Sequence, residues 1–551
     1  MTEQLVVIVV GFVVIAAATV IGPRLGIASP LVLVAVGVAA SFLPVFGSVH
    51  IEPQWILEGV LPPLLYSSAV SMPAMNFRRE FGAISGLSVL LVVGSALLLG
   101  VFFALVIPGL GFAWGVALGA IVSPTDAVAT SLIRRTPVSK RVVAMLDGES
   151  LLNDATALVL LRTAIVAAAA TFSFWGTVGT FAYSVLVAAV IGGLVGWLNL
   201  VVRKRVTDPT VNTVISFAVP FVAAVPAQLL GASGLVAAVA AGLVTGILAP
   251  RELSPQNRLS DSQNWRTIEL LLEGAVFLTM GLQIKSIVTN VVQDHAGVGA
   301  AVLVAAGALI LTILIRAAYI TPLLGILKSR SRHAEQLRTR LQGMQDKMTT
   351  SEGKQEVFDE VSTRPRRKAS ERALERFAVR VARGLADIEY FLREPLGWRE
   401  GTVVVWAGMR GAVTVAAAQT LPDDTPQRSV LVLIAFAVAA MSLLVQGGTI
   451  GPLLRRLRPH VDQAAIAEQT AAERTRIFEL MKTSADAVTE SRPEGDPAPE
   501  QFDVAKRLAV IAAQRSALLD ARDNGTFDAD VLANALANLD ATQIAIEMRG
   551  E

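Results

Sequence analysis

The stretch that decides the fold is LDGESLLNDATALVL, residues 146–160, which places three carboxylates and an amide in one of the most apolar parts of the chain. On an α-helix its polar residues share one broad face, with Asp147, Ser150 and Asp154 at i, i+3 and i+7 beside Glu149 and Asn153 at i and i+4. An ionisable group at bilayer depth costs about 2.5 to 3.5 kcal/mol, so it normally faces a cavity or a partner. Within a membrane, this face predicts an ion or proton pathway.

The composition supports a membrane setting. The chain has 551 residues, of which 53% are hydrophobic and 17% are charged, and its mean hydropathy is +0.58. These values are typical of a polytopic all-α membrane protein and not of an ordinary soluble enzyme. Cysteine is absent from the sequence, which excludes disulfides and thiolate metal sites, and the net charge of +2 gives no indication of an acidic partner.

Runs of about 20 apolar residues, the length needed to cross a bilayer, predict thirteen membrane spans. Their approximate limits are residues 4–21, 27–47, 54–72, 82–106, 112–133, 140–170, 175–202, 210–230, 232–249, 265–284, 297–327, 399–420 and 429–453. The first run lacks a basic leader and a small-residue cleavage site, which favours a span over a signal peptide.

Loop charge gives these spans an orientation. With the N-terminus outside, the short inner loops carry fifteen Lys and Arg residues, and the outer loops carry two, Lys285 and Arg428. Positive charge concentrated on the inner side is the usual pattern in membrane proteins. The sequence therefore predicts an outer N-terminus and a cytoplasmic C-terminal tail.

Two charged segments divide the chain. The predicted domains are a membrane domain formed by residues 1–327 and 399–456, a cytoplasmic insertion at 328–398 and a cytoplasmic helical tail at 457–551. The insertion contains a basic run at residues 364–368. Two interpretations of it stay open, a solvated helical loop or a segment that binds anionic lipid headgroups.

Two predicted spans contain sequences that break helices. The fifth contains Ser123-Pro124-Thr125-Asp126, where proline removes a backbone donor beside a carboxylate, and the twelfth contains Gly408-Met409-Arg410-Gly411. Broken helices expose carbonyls and half-helix ends that form ion sites in transporters. Because the two spans are an odd number of spans apart, they enter the membrane in opposite directions, which predicts an inverted-topology repeat whose breaks meet at the midplane.

Other ionisable residues in the spans have simpler interpretations. Arg162 lies well past Asp154 towards the outer end of its helix, where its side chain can extend to the interface. Glu269 and Glu273 in the tenth span fit helix or interface contacts, and a pairing of either with Arg162 is left open.

Four motifs carry a resemblance to a known family. SPTDAVA from Ser123, LDGESLLNDATALV from Leu146, WAGMRGAV from Trp406 and LVQGGTIGPLL from Leu444 resemble the bacterial branch of the monovalent cation/proton antiporters, the sodium/proton exchangers. The resemblance covers all the spans in order. It implies thirteen helices, a homodimer, a core domain that moves against a dimerisation domain, and a location in the cytoplasmic membrane.

The resemblance also implies residue roles. Asp154 matches the carboxylate that binds a cation and a proton alternately, and Asn153 matches its neighbouring amide. Asp126, the Thr125 carbonyl and the Ser150 hydroxyl match positions around the ion. Glu149 and Arg410 match a buried ion pair that holds the core together. An Asn rather than a second Asp before Asp154 resembles the electroneutral branch, which exchanges one cation for one proton.

The sequence departs from the family pattern in two places. Ser67 stands where several family members carry an acid, so one outer ligand to the ion is missing. The insertion between the eleventh and twelfth spans is longer than the family's usual connection.

The residues and the resemblance together predict an antiporter that exchanges Na⁺ or Li⁺ for H⁺, because one buried carboxylate that holds either ion gives exchange by competition. A potassium/proton antiporter is the close alternative, and a cation channel or a membrane sensor is less favoured. Nothing in the sequence indicates an enzyme, a cofactor or nucleic-acid binding.

Overall fold

The computed structural model describes residues 2–24, 27–43, 52–126, 128–134, 136, 138–169, 174–295, 297–348, 355–358, 371–457, 463–490 and 501–549. Regular structure in this part of the chain is entirely helical. The chain forms two compact units. The membrane unit is Met1–Leu253, Asn257–Pro322 and Trp398–Pro459, and the accessory unit is Ser254–Gln256, Leu323–Gly397 and His460–Glu551.

The membrane unit is a bundle of α-helices joined by short connections. Its helices are Thr2–Arg24, Ser29–Ser41, Leu61–Ser71, Ala74–Ser85, Val92–Val106, Phe112–Val122, Val128–Ile133, Lys140–Ala169, Phe174–Arg203, Pro209–Leu229, Gly234–Glu252, Pro255–Leu282, Ile284–Gln293, the first part of Val298–Lys347, Trp398–Trp406, Ala412–Gln419, Arg428–Ser442 and Gly448–Leu457. Short π-helical segments occur at Trp55–Val60, Gly86–Leu91 and Leu443–Gly447.

Eight segments of the described chain are helical, long and apolar enough to cross a membrane. Three shorter apolar helices, Val7–Gly22, Ser29–Ser41 and Phe112–Val122, accompany them. The predicted all-helical membrane fold is thus confirmed, whereas the number of thirteen spans and their orientation stay predictions.

Small residues let two neighbouring helices pack backbone to backbone. A Cβ at Gly119 would overlap the Ala96 carbonyl oxygen, and a Cβ at Gly115 would overlap that of Gly100. Glycine at such contacts lets membrane helices approach closely, where van der Waals packing stabilises them. This packing fixes Phe112–Val122, the helix that leads into the first proline break.

The helix Lys140–Ala169, called the central helix below, lies between two buried apolar clusters. Leu151 and Ala155 pack in a cluster with Ile84, and Leu161 packs in a cluster with Val128. Because both sides of the helix are covered by apolar side chains, its polar residues are confined to the face between them.

Two arginines that the sequence assigned to inner loops are buried in ion pairs instead. Arg141 Nε lies 2.6 Å from Glu80 Oε1, with both side chains at most 3% exposed. Arg203 Nη2 lies 3.0 Å from Asp261 Oδ2, and Arg203 Nε also donates to Asn212 Oδ1 at 2.8 Å. The partner of each arginine offsets the desolvation cost of burying its charge.

The accessory unit combines the charged insertion with the tail. Val298–Lys347 has 50 residues and runs without interruption from the eleventh predicted span into the insertion, so residue 327 is not a helix end. The amphipathic insertion helix Glu371–Arg393 packs against the tail helix Gln501–Asn524. The other tail helices are Gln463–Glu490 and Ala529–Arg549. The basic run at 364–368 lies outside the described residues.

Candidate functional site

The two helix breaks meet inside the membrane unit. The first break, described at residues 123–126, lies between Phe112–Val122 and Val128–Ile133, and the second break, residues 407–411, separates Trp398–Trp406 from Ala412–Gln419. The backbone N–H of Asp126 donates to the Met409 carbonyl oxygen at 2.7 Å. The prediction that the breaks come together is therefore confirmed.

Side chains replace the helical hydrogen bonds that the first break loses. Pro124 has no N–H to continue the ladder. The Ser123 hydroxyl donates to the Val92 carbonyl oxygen at 3.1 Å, which ties the break to the preceding helix. The helix resumes where the Asp126 carboxylate accepts a hydrogen bond from the Val128 N–H at 3.3 Å. The break is thus a defined backbone conformation that is stabilised by its own hydrogen bonds.

The central helix holds the first break through two side chains one turn apart. Asn153 is fully buried, and its Nδ2 donates to both the carbonyl oxygen and the hydroxyl oxygen of Thr125 at 2.8 Å. The Thr125 hydroxyl donates to Glu149 Oε1 at 3.0 Å. Within the described structure, the Asn153 Oδ1 has no hydrogen-bond partner. An amide oxygen is an acceptor, so a polar lone pair is left available beside the break.

Asp154 lines a small cavity beside the first break. The cavity has a volume of about 10 Å³, room for about one water molecule, and its lining includes Pro124 from the first break and Val413 and Ala417 from the helix after the second break. The site contains two acids, Asp126 on the first break and Asp154 on the central helix, and two ionised carboxylates close to one another repel each other. A proton or a cation between or beside them would relieve this repulsion.

Glycine in the second break makes room for the Asp126 carboxylate. A Cβ at Gly411 would overlap Asp126 Oδ2. Only a residue without a side chain fits here, because the second break packs its backbone directly against an acid of the first.

The predicted ion pair between Glu149 and Arg410 is wrong, because the structure pairs Glu149 with Arg316. Arg316 Nη2 donates to Glu149 Oε2 at 2.7 Å, and Arg316 Nη1 bonds Glu149 Oε1, so the contact is bidentate. Both side chains are 2% exposed. Arg316 Nε also donates to the Val404 carbonyl oxygen at 2.9 Å, which ties Val298–Lys347 to the second broken span.

Arg410 binds backbone carbonyls instead of a carboxylate. Its Nε donates to the Val122 carbonyl oxygen at 3.0 Å, its Nη2 to that of Ser123 at 3.5 Å, and its Nη1 to that of Gly408. Helix carbonyls that end at a break lack helical donors. The guanidinium turns toward them because its several N–H groups can satisfy carbonyls on both sides of the crossing.

Sequence reasoning missed Arg316, although a signal was present. The residue stands in the middle of ALILTILIRAAYIT, residues 308–321, within the predicted eleventh span. A cation there is expensive and marks a buried partner or a functional path. The pairing with Arg410 came from the family resemblance of the WAGMRGAV motif.

The other predicted residues make more modest contacts. The Ser150 hydroxyl donates to the Asp147 carbonyl oxygen of its own helix at 3.0 Å, and the Asp147 carboxylate pairs with Arg134 at 2.5 Å. Ser67 is buried, at 4% exposure. Among the described residues, Arg162 forms no ion pair with Glu269 or Glu273, so neither open pairing is observed.

The assembled groups have a definite chemistry. Two carboxylates, an amide oxygen and the hydroxyl and carbonyl oxygens of the first break supply oxygen donors. Oxygen ligands suit hard cations, and a carboxylate can hold a proton in place of a cation. In chemical terms, a set of oxygen atoms of this kind can hold either species.

Comparison with known proteins supplies a second line of information. A family model described as "Sodium/hydrogen exchanger, transmembrane" matches residues 10–340 and 377–456. All the residues of the candidate site fall inside this match, whereas residues 341–376 and those after residue 456 fall outside it.

Relatives and a solved structure agree with this match. A Mycobacterium tuberculosis protein named as an uncharacterized Na⁺/H⁺ exchanger is 28% identical over 535 residues, covering 95% of this chain and 86% of that protein. A sodium, potassium, lithium and rubidium/H⁺ antiporter of Bacillus pumilus is 31% identical over 280 residues, covering 48% of this chain and 41% of that protein. The sodium proton antiporter MjNhaP1 from Methanocaldococcus jannaschii shares the fold, with a TM-score of 0.55 at 15% identity, covering 83% of this chain and 99% of that one.

Proposed function

We propose, from the premise that the chain belongs to the sodium/hydrogen exchanger family, that it exchanges Na⁺ or Li⁺ for H⁺ by alternating access at Asp154. The family is one of multi-pass membrane transporters and not of enzymes, and cation/proton antiport is its activity. The observation that carries the assignment of Asp154 is its position on a cavity that is also lined by Pro124 of the first break and by Val413 and Ala417 of the helix after the second break.

Competition between a cation and a proton for one carboxylate is sufficient to couple their transport. A cation and a proton both neutralise Asp154, and the nearby Asp126 charge makes the doubly ionised empty site unfavourable. The site is therefore occupied by one species or the other when it changes its exposure from one side to the other. Protonation releases the cation, and cation binding displaces the proton.

The neighbouring polar residues have separate parts in this proposal. Asp126, the Thr125 carbonyl oxygen and the Ser150 hydroxyl surround the cation. Asn153 orients Thr125 through its two donated hydrogen bonds of 2.8 Å. Asn153 and Asp154 are adjacent, and an amide does not titrate. Asp154 is therefore the one of these two residues that exchanges a proton. One cation then moves for one proton, and the exchange is electroneutral.

The ion pair of Glu149 with Arg316 stabilises the core around the site and carries no ion. Both members are buried and satisfied by each other and by Thr125 and Val404. The transporter acts as a homodimer in the cytoplasmic membrane, with its N-terminus outside and its tail inside, and it contributes to pH homeostasis.

A potassium/proton antiporter is the second candidate function. The Bacillus pumilus relative is named for exchange of sodium, potassium, lithium and rubidium, and a site made of carboxylate and carbonyl oxygens accepts any of these cations in chemical terms. Competition between Na⁺ and K⁺ distinguishes the two proposals.

The test is proton flux in proteoliposomes loaded with a pH gradient, on addition of Na⁺, Li⁺ or K⁺. We expect Na⁺ and Li⁺ to dissipate the gradient with wild type and not with Asp154→Asn, and clamping the voltage to zero should leave the rate unchanged. Asp147→Asn is the matched control, since Asp147 lies on the same helix and pairs with Arg134.

Each outcome decides between named alternatives. An active Asp154→Asn protein would overturn the assignment of the site. Dissipation by K⁺ alone would replace the sodium proposal with the potassium one. A cation-driven current under voltage clamp would indicate a channel.

A further inference from the structure

The π-helical segment Leu443–Gly447 lies directly beside the second break. It joins Arg428–Ser442 to Gly448–Leu457 in what is otherwise one continuous span. π-Helical turns are rare and frequently occur at functional sites, because they realign the side chains that follow them. Gln446 belongs to this segment and Ser442 precedes it, and both residues are fully buried.

A broken helix leaves backbone groups that need partners from elsewhere. Three carbonyls of the second broken span have partners described above: Val404 accepts from Arg316, Gly408 from Arg410 and Met409 from the Asp126 N–H. The Trp406 carbonyl, just before the break, and the Arg410 N–H, within it, are bonded by side chains of the π-helical region.

Gln446 and Ser442 satisfy these two groups as one connected chain. Gln446 Nε2 donates to the Trp406 carbonyl oxygen at 3.2 Å. Gln446 Oε1 accepts from the Ser442 hydroxyl at 2.6 Å, and the Ser442 Oγ accepts from the Arg410 N–H at 2.9 Å. The hydrogen bonds therefore connect the end of the helix before the break to the backbone within the break through two side chains, and each side chain uses a donor and an acceptor.

We infer that Gln446 is a positioning residue for the cation site, acting through Ser442 on the backbone of the second break. The inference rests on the proposed function. The break that Gln446 bridges presents the Met409 carbonyl to the Asp126 N–H and places Gly411 against the Asp126 carboxylate. A shift of this backbone displaces Asp126 while leaving Asp154 on its intact helix, so it alters cation binding more than the capacity to exchange protons.

The experiment compares Gln446→Met, Ser442→Ala and the double variant with wild type, using the full chain in proteoliposomes and in detergent. Leaving buried backbone groups without their partners shifts an equilibrium by roughly tenfold. We expect Gln446→Met to raise the apparent KM for Na⁺ by about that factor, with a smaller change in the maximal rate. The double variant should be no worse than Gln446→Met, because the two side chains act as a unit.

Thr449→Val is the matched control. Thr449 lies on the same span and accepts a hydrogen bond from the Trp406 indole Nε1 at 2.9 Å, so it contacts the same tryptophan without bonding the backbone of the break. We expect its apparent KM to stay at the wild-type value. The Na⁺-dependent rise in Tm, measured in detergent, reports cation binding independently of transport.

The possible results separate this inference from the proposed function. A wild-type protein with neither cation-dependent exchange nor a Na⁺-dependent rise in Tm would overturn both. A wild-type protein that exchanges Na⁺, together with a Gln446→Met protein of unchanged apparent KM, would overturn the inference alone. If Gln446→Met fails to accumulate, Ser442→Ala decides in the same way, since it removes only a hydroxyl group.

Discussion

The two helix breaks are stabilised by different kinds of groups. The first break is held mainly by side chains, from Ser123 within it and from Glu149 and Asn153 on the central helix. It directs a carboxylate, Asp126, toward the site. The second break has no acid and instead contributes Gly411, which clears space, and Arg410, which binds carbonyls of both breaks.

This difference assigns the breaks different tasks. In the proposed function the first break supplies ligand oxygens, so changes there should alter cation binding directly. The second supplies backbone, space and positive charge, so changes there should alter the stability of the core or act on cation binding indirectly, through the position of Asp126. The following predictions test this division, beginning with the largest expected effect.

Arg316→Met should destabilise the protein most. It leaves Glu149 buried without its cation, and removing one member of a buried ion pair typically costs about 3 to 5 kcal/mol. We expect strongly reduced accumulation and a lower Tm for the purified protein. Adding Glu149→Gln should restore part of the loss, because the uncompensated charge is then removed.

The control for the pairing is the corresponding experiment at Arg410. Glu149→Gln should not restore Arg410→Met, because Arg410 binds carbonyls. If Glu149→Gln restored the stability of Arg410→Met and not that of Arg316→Met, Arg410 would be the partner of Glu149, as the sequence suggested.

Gly411→Ala should impair exchange without preventing membrane insertion. The added Cβ overlaps the Asp126 carboxylate, and overpacking of this kind typically costs about 1 to 3 kcal/mol. The corresponding loss in the exchange rate at low Na⁺ is roughly 10- to 100-fold, measured in proteoliposomes with equal amounts of protein.

Gly451→Ala is the matched control for Gly411→Ala. A Cβ at Gly451 meets no other atom within 4 Å, so its exchange should equal that of wild type. Equal activity of both alanine variants would mean that the contact between the second break and Asp126 has no part in transport.

Thr125→Val should have a smaller effect than Arg316→Met or Gly411→Ala. It removes the hydroxyl that donates to Glu149 and accepts from Asn153, while keeping the carbonyl oxygen and the branched shape of the residue. With a net contribution of about 1 kcal/mol for a hydrogen bond, the apparent KM for Na⁺ should rise about fivefold. Thr125→Ser keeps the hydroxyl and should retain the wild-type KM; a KM raised equally in both variants would assign the effect to packing.

The sequence revealed those residues of the candidate site that are unusual within a membrane span. Pro124 and the glycines around Arg410 identified the breaks because proline and glycine act on their own backbone. Asp154 stood out because a carboxylate in an apolar span is costly wherever the chain folds. In each case the physical effect is local, so it can be recognised without a structure.

The pairing of buried charges could not be obtained in the same way. Two mid-span arginines, Arg316 and Arg410, are both plausible partners for Glu149 and lie far from it along the chain. Which one faces the carboxylate depends on how the helices rotate and cross. The role of Gln446 was hidden for the same reason, because the carbonyl it bonds is 40 residues away.

The sequence by itself determined that the chain is an all-helical membrane protein with two broken spans and a cluster of carboxylates at residues 146–160, since hydropathy, proline chemistry and the cost of buried charge act over a few residues. Only the tertiary structure decided that Arg316 neutralises Glu149, that Arg410 and Gln446 satisfy the broken backbone, and that the insertion and the tail share one unit. Those outcomes depend on contacts between distant segments, and the energy of such a contact exists only once packing has brought its partners together.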